Sequence, residues 1–238
     1  MPETPAGIED RWVTAADGVR IHGWYARAPH ASRETPTLLW AHGNGGNIGG
    51  RYEIQAALAR KGVNVLAYDY RGYGRSEGRP TEAGAYLDSR AMFDSLVHAG
   101  VPPTQIICFG ESLGGAVTIE LATERPCAGI AVVSTFTTIG DVARDHFGVL
   151  GFLAAGIFDS ASRIQQIEVP FFATHGDRDE VVGFPLGQAL FAAAPEPKEF
   201  LHVKNAGHND IFLYPGVIDS IVAFARKTTA LARGARAD

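Results

Sequence analysis

Six short apolar runs recur along the chain with turn residues or helical spacing between them: TLLWA (37–41), VNVLAYDY (63–70), QIICFG (105–110), AGIAVVST (128–135), VPFFATHG (169–176) and EFLHV (199–203). They are continuous rather than alternating, which is how strands read when both of their faces are buried. Helical spacing follows several of them: Ile54, Ala57 and Leu58; Tyr86, Phe93, Leu96 and Val97 within 82–99; segments 113–124 and 185–194; and Ile218, Ile221, Val222 and Ala225 in a final helix expected from Ile211 to about Leu231. Strands alternating with helices predict a mostly parallel sheet covered by helices on both faces. Upstream, RWVTA and VRIHGWYA flank Asp17-Gly18, a hairpin signal that adds two antiparallel strands and brings the expected total to eight.

A chain of 238 residues fits one such domain, spanning 1–238, with the irregular stretch at about 136–168 as a short lid-like insertion. The formal net charge is −5 and no Lys/Arg block occurs, so neither nucleic acid nor an acidic membrane is an expected partner. The longest apolar stretch, FGVLGFLAAGIF (Phe147–Phe158), is too short to span a bilayer. The N-terminus lacks the basic start and apolar run of a signal peptide, so the expected location is cytoplasmic. Cys108 and Cys127 sit in or beside apolar runs and read as buried free thiols. No Cys/His cluster suggests zinc, and neither metal nor organic cofactor is expected. Oligomeric state stays open.

Open sheets of this kind gather ligands at the carboxyl ends of their strands, and the reactive residues fall there. Gly110-Glu111-Ser112-Leu113-Gly114 is a G-x-S-x-G pattern between a strand and a helix. A serine in so tight a turn is strained, and side chains two positions away on either side would crowd the sheet and the helix. Glycine at both places relieves that crowding and presents the hydroxyl at the sheet edge. A serine hydroxyl needs a base. Of eight histidines, His208, in NAGHND after the last strand, is the candidate. His42 and His175 precede glycines at strand ends and are expected to shape turns, while His22 and His202 lie within strands. The base needs an orienting carboxylate. HGDRDEVV offers Asp177, Asp179 and Glu180, among which spacing does not choose. The glycine-rich HGNGGN (42–47) ends another strand and can supply the Asn44 main-chain N–H to an oxyanion, with the Leu113 N–H as second donor. A dinucleotide site at Gly72, Gly74 and Gly78 is disfavoured, because Pro80 and further residues separate that loop from its helix.

WAHGNGGN, YDYRGYGRSEGRP, GESLGG, HGDRDEVV and NAGHND, in this order, resemble the α/β-hydrolase superfamily, and within it the Bem46-like or serine aminopeptidase S33-like small hydrolases. The likeness runs from about residue 12 to 225. It implies the α/β-hydrolase fold with a small cap, Ser112 as nucleophile, Asp179 as acid, His208 as base, and Asn44 and Leu113 as oxyanion donors. It also implies a scaffold role for the Asp69–Gly74 loop, in which Arg71 is expected to be structural. In one departure, Gly183-Phe184-Pro185 follows Val182 where the family carries proline closer to the acid, which would shift the acid loop. Phe136 and Phe152 are expected to wall a substrate pocket.

The implied activity is hydrolysis of small-molecule carboxylic esters through an acyl-enzyme. Thioesterase or depalmitoylase chemistry, and amidase or aminopeptidase chemistry, could run on the same triad. In a peptidase, Glu111 or Glu180 would face the substrate amine. A non-catalytic binding protein built on this fold is the more distant alternative.

Overall fold

The computed structural model describes residues 3–147 and 156–234. Its 8-stranded sheet comprises β1 (Ile8–Thr14), β2 (Arg20–Ala26), β3 (Thr37–Ala41), β4 (Asn64–Tyr68), β5 (Ile106–Glu111), β6 (Gly129–Val133), β7 (Phe171–Gly176) and β8 (Lys198–Val203), in the order β1-β2-β4-β3-β5-β6-β7-β8. β1 pairs antiparallel with β2 and β2 with β4, and every later pairing is parallel. The hairpin thus forms one edge, turning through Asp17-Gly18 with Gly18 at φ 87°.

Helices α1 (Tyr52–Arg60), α2 (Glu82–His98), α3 (Leu113–Glu124), α4 (Ile139–Phe147), α5 (Ser160–Ile164), α6 (Phe184–Ala193) and α7 (Val217–Gly234) join the strands. Successive strand residues point to opposite faces. On one face, Leu39, Cys108, Ile130 and Phe171 pack with Met92 and Phe93 of α2 and Val117 of α3. On the other, Leu38, Trp40, Ile107 and Phe109 pack with Leu58 of α1 and Ile221 and Val222 of α7. Both faces are therefore dry, which is why the strands read as continuous apolar runs.

The last helix starts later than its periodicity predicts. Ile211–Leu213 forms a single 3-10 turn and α7 begins only at Val217. Pro215 and Gly216, the latter at φ 87°, break the chain between them.

Arg71 belongs to the loop after β4. Its guanidinium donates to both Asp88 oxygens and to both Asp17 oxygens, with contacts from 2.6 to 3.2 Å, and its main-chain N–H donates to Asp88 at 2.8 Å. It pins the hairpin turn and α2 to the sheet. Both cysteines are buried and free. Among the described residues no helix is long and apolar enough to cross a membrane.

Candidate active site

The parallel register brings Ala41 of β3 level with Tyr68 and Gly110, and Glu111 of β5 level with Val133. The loops that leave these strands converge on Ser112. Its backbone is held at φ 51°, ψ −116°, a left-handed conformation that costs a side-chain-bearing residue about 1–3 kcal/mol. Three hydrogen bonds maintain it: Ser112 N–H to the Val133 carbonyl (2.8 Å), and the Gly115 N–H (2.9 Å) and Thr135 hydroxyl (2.8 Å) to the Ser112 carbonyl. The neighbouring glycines are obligatory for contact. A Cβ on Gly114 would overlap the Ala41 carbonyl of the next strand, and one on Gly110 would overlap the Gly114 carbonyl.

His208 Nε2 stands 3.1 Å from Ser112 Oγ, and His208 Nδ1 stands 2.7 Å from Asp179 Oδ2. Asp179 is held on its other side by the Val181 and Val182 N–H groups, which donate to Oδ1 at 3.0 and 2.8 Å. His175 Nε2 also approaches Oδ2 to 3.2 Å. Burial pushes the Asp179 carboxyl up. The hydrogen bonds from His175 and His208, the His208 charge and the Val182 N–H outweigh that push and hold it well below the usual carboxylate range. An ionised carboxylate only accepts, so the proton of neutral His208 sits on Nδ1 and Nε2 faces the hydroxyl as acceptor.

Asp177 faces elsewhere. It accepts the Asn205 N–H at 2.6 Å and contacts His202 Nε2 at 2.9 Å, which ties the end of β8 to the loop. After Val182, Gly183 caps α6 and Pro185 falls in its first turn, where proline is compatible, and Asp179 reaches His208.

Opposite the imidazole, the loop after β3 lies beside the serine. His42 Nδ1 donates to its neighbour's carbonyl, Gly43 O, at 2.6 Å, and the Tyr70 hydroxyl donates to His42 O at 2.7 Å. A trans peptide carries its carbonyl and its N–H in opposite directions, so fixing the Gly43 carbonyl fixes the Asn44 N–H. Among the described residues, neither the Asn44 nor the Leu113 main-chain N–H has an acceptor. The Tyr73 hydroxyl donates to Asn44 Oδ1 at 2.7 Å and steadies that side chain.

Arg51, a residue the sequence reading passed over, ties this loop to the serine turn. Its Nε and Nη2 donate to the two Glu111 oxygens at 3.1 Å each, and Nη1 donates to Gly45 O at 2.6 Å. Nothing in the local pattern marks Arg51, because its partner lies 60 residues away.

Two cavities meet at Ser112. The first, about 450 Å³, is walled by Phe136, Ile139, Val142, Ile157, Phe158 and Val182 among others. The second, about 470 Å³, includes His208, Asn209, Arg51 and Glu111. Phe136 thus stands in the apolar wall, whereas Phe152 lies outside the described residues. Among the described residues, no group of three or more His, Cys, Asp or Glu side chains converges as metal ligands would.

Residues 32–161, more than half of the chain, match the serine aminopeptidase S33 family. The chain belongs to that family of α/β-hydrolases. The match stops short of Asp179 and His208, but whole-chain relatives extend past them. An uncharacterized protein of Mycobacterium tuberculosis is 39% identical over 233 residues, covering 95% of this chain and 82% of its own length. Alpha/beta hydrolase domain-containing protein 17C of Mus musculus is 35% identical over 214 residues, covering 89% of this chain and 65% of its own. Among solved structures, an alpha-beta hydrolase of Vibrio vulnificus superposes with a TM-score of 0.78 at 21% identity, covering 92% of this chain and 81% of that one. The esterase Pf2001 of Pyrococcus furiosus superposes with a TM-score of 0.75 at 21% identity, covering 92% and 90%. These structural likenesses show the fold, and the family makes the chain a hydrolase.

Proposed function

We propose that this family member is a serine carboxylesterase. The observation that carries the reading is the unbroken chain Ser112 Oγ, His208, Asp179 at the mouth of an apolar cavity. His208 Nε2 takes the Ser112 proton as Oγ attacks the ester carbonyl, and Asp179 stabilises the imidazolium that forms. The carbonyl oxygen becomes an oxyanion between the Asn44 and Leu113 N–H groups, each such donor contributing about 3–4 kcal/mol in the transition state. The C–O bond to the alcohol then breaks, and His208 returns the proton to the departing oxygen. Water, deprotonated by His208, cleaves the acyl-enzyme and regenerates the serine. Residues 136–168 act as a short lid of the one domain, and the apolar cavity takes the acyl chain.

The peptidase alternative draws less support from Glu111 and Glu180. Both oxygens of Glu111 are already engaged by Arg51, and Glu180 is exposed. Thioesters remain compatible with the same apparatus.

The test is a panel of p-nitrophenyl esters from acetyl to palmitoyl with matching anilides, run beside Ser112→Ala. Ester turnover that vanishes in Ser112→Ala, with fluorophosphonate labelling lost and the fold retained, supports the reading. Undiminished turnover ends it, and anilides cleaved faster than esters would move the activity to amides. Asp179→Asn is expected to harm turnover far more than Asp177→Asn.

A further inference from the structure

A third cavity, of about 760 Å³, lies at the end of the sheet opposite Ser112. Three strands begin at it: Thr37 opens β3, Asn64 opens β4, and Gln105 immediately precedes β5. β5 then runs away from it to Glu111, roughly 20 Å at the rise of an extended strand. Residues from the loop after β2 and from the 99–102 turn complete the wall.

Hydrogen bonds hold that loop in place. Asn64 Oδ1 accepts the Ala28 N–H at 3.0 Å, and the Asn64 N–H donates to Pro36 O at 2.8 Å, so one residue grips both ends. Between them the Ser32 N–H donates to Thr35 Oγ1 at 2.9 Å, and the Glu34 N–H donates to Ser32 Oγ at 3.1 Å. Arg233 Nη1 of α7 donates to Glu34 O at 3.2 Å.

Two features of the wall point to a ligand. Gln105 is only 5% exposed, and among the described residues its side-chain amide has no hydrogen-bond partner. A buried amide in that state is unfavourable, and a ligand that both donates and accepts relieves it. The second feature is charge. Although the chain carries a net −5, the described wall holds Arg27 and Arg33 and no acidic residue. Arg33 is exposed and, among the described residues, has no acidic partner. Arg27 lies 5.1 Å from the centre of the Tyr25 ring, and its ion pair with Glu9, at 3.6 Å, joins two exposed groups and binds weakly. Two guanidinium groups suit a phosphate monoester, which carries about −1.5 to −2 charges at neutral pH.

We infer that this cavity is a second ligand site, which binds a phosphate monoester of a small hydroxylated molecule. The phosphate meets Arg27 and Arg33, and a hydroxyl meets the Gln105 amide. The site stands independently of the ester-hydrolase reading.

The experiment is calorimetric titration of the whole chain, at roughly 0.15 M salt so that diffuse attraction is screened. The probes are glycerol 3-phosphate, glycerate, inorganic phosphate and glycerol. Glycerol 3-phosphate should bind at least about threefold more tightly than inorganic phosphate, more tightly than glycerate, and far more tightly than glycerol. Gln105→Leu should weaken glycerol 3-phosphate by about 3–10-fold and leave inorganic phosphate unchanged. Arg33→Gln should weaken both phosphates by about tenfold. Position 33 is exposed, so that variant should fold, and it decides the matter by itself if Gln105→Leu does not. The site is overturned if glycerol 3-phosphate fails to bind, if inorganic phosphate or glycerate binds as tightly, or if Arg33→Gln leaves the affinities unmoved. A folded Gln105→Leu that keeps full affinity for glycerol 3-phosphate overturns it equally.

Discussion

His175 and His208 share one carboxylate oxygen: Nε2 of the first lies 3.2 Å, and Nδ1 of the second 2.7 Å, from Asp179 Oδ2. His175 Nε2 also lies 2.9 Å from the Val182 carbonyl. Both of its neighbours only accept, so that nitrogen carries the proton and bridges the acid to its own loop. Helix α6 crosses directly over the ring, where a Cβ on Gly187 would collide with Nδ1. If Asp179 is the acid of the proposed triad, His175 is its positioning residue. His175→Ala is expected to lower kcat by about tenfold through the loss of one hydrogen bond to a charged group, with KM little changed. His175→Gln, which keeps an N–H for Val182 O, should recover part of the loss. Steady-state kinetics of both variants check this, and an unchanged kcat in His175→Ala would refute it.

Asp179 also makes a pH-dependent contribution to stability. Its native pKa lies below the roughly 3.9 of an unfolded chain. A lowered native value gives stability that is complete above about pH 4 and is lost as the pH falls toward the native pKa. Urea unfolding of wild type and Asp179→Asn should therefore show a constant gap between pH 7 and about 5. Below about pH 4 the gap should narrow by roughly 1.4 kcal/mol per pH unit. A gap that stays constant down to pH 3 would contradict the assignment.

The His42–Gly43 contact controls a peptide rather than a side chain. Without the imidazole at 2.6 Å from the Gly43 carbonyl, the Gly43–Asn44 peptide is free to rotate and turn its N–H away from the serine. His42→Ala is expected to lower kcat about 100-fold, comparable to losing an oxyanion donor, with KM nearly unchanged. A boronic acid that mimics the tetrahedral intermediate should weaken in parallel with kcat. A rise in KM alone would place the role of His42 elsewhere.

Two glycines of the site should respond in opposite ways. Gly114→Ala forces a methyl group into the Ala41 backbone carbonyl, and overpacking against a rigid strand costs at least about 1–3 kcal/mol. A Cβ at Gly45 meets nothing within 4 Å, and its φ lies outside the left-handed region. Gly45→Ala should then shift stability by less than about 0.5 kcal/mol. Thermal unfolding of the two variants checks the contrast.

Elements whose signals are local were legible in the sequence. β3 spans TLLWA and α3 spans 113–124, both as their periodicity predicts, because continuous apolar runs and a glycine-flanked turn are written in neighbouring residues. Periodicity alone places the start of α7 too early: apolar spacing runs through Pro215-Gly216, and those two residues override it. Spacing gave no choice between Asp177 and Asp179, since both lie in one short loop. What separates them is direction, one toward Asn205 and His202 and the other toward the Val181 and Val182 N–H groups and His208. Arg51, Gln105 and the His175–Asp179 contact left no readable trace, because their significance lies in cavities and contacts between separate segments of the chain.

The stretch that follows β6 is stitched shut at its base. Ile139 N–H donates to Ile157 O at 3.1 Å, and the Ser160 and Ala161 N–H groups donate to Thr137 O at 2.8 and 3.0 Å. The Phe158 N–H, at 2.8 Å from Glu82 Oε1, fastens the downstream end to α2. The cavity walls that Ile139, Ile157 and Phe158 supply are therefore moored to Thr137 and to α2 rather than to the far edge of the sheet, so a substitution at one of them can reshape the cavity while the serine turn below keeps its geometry.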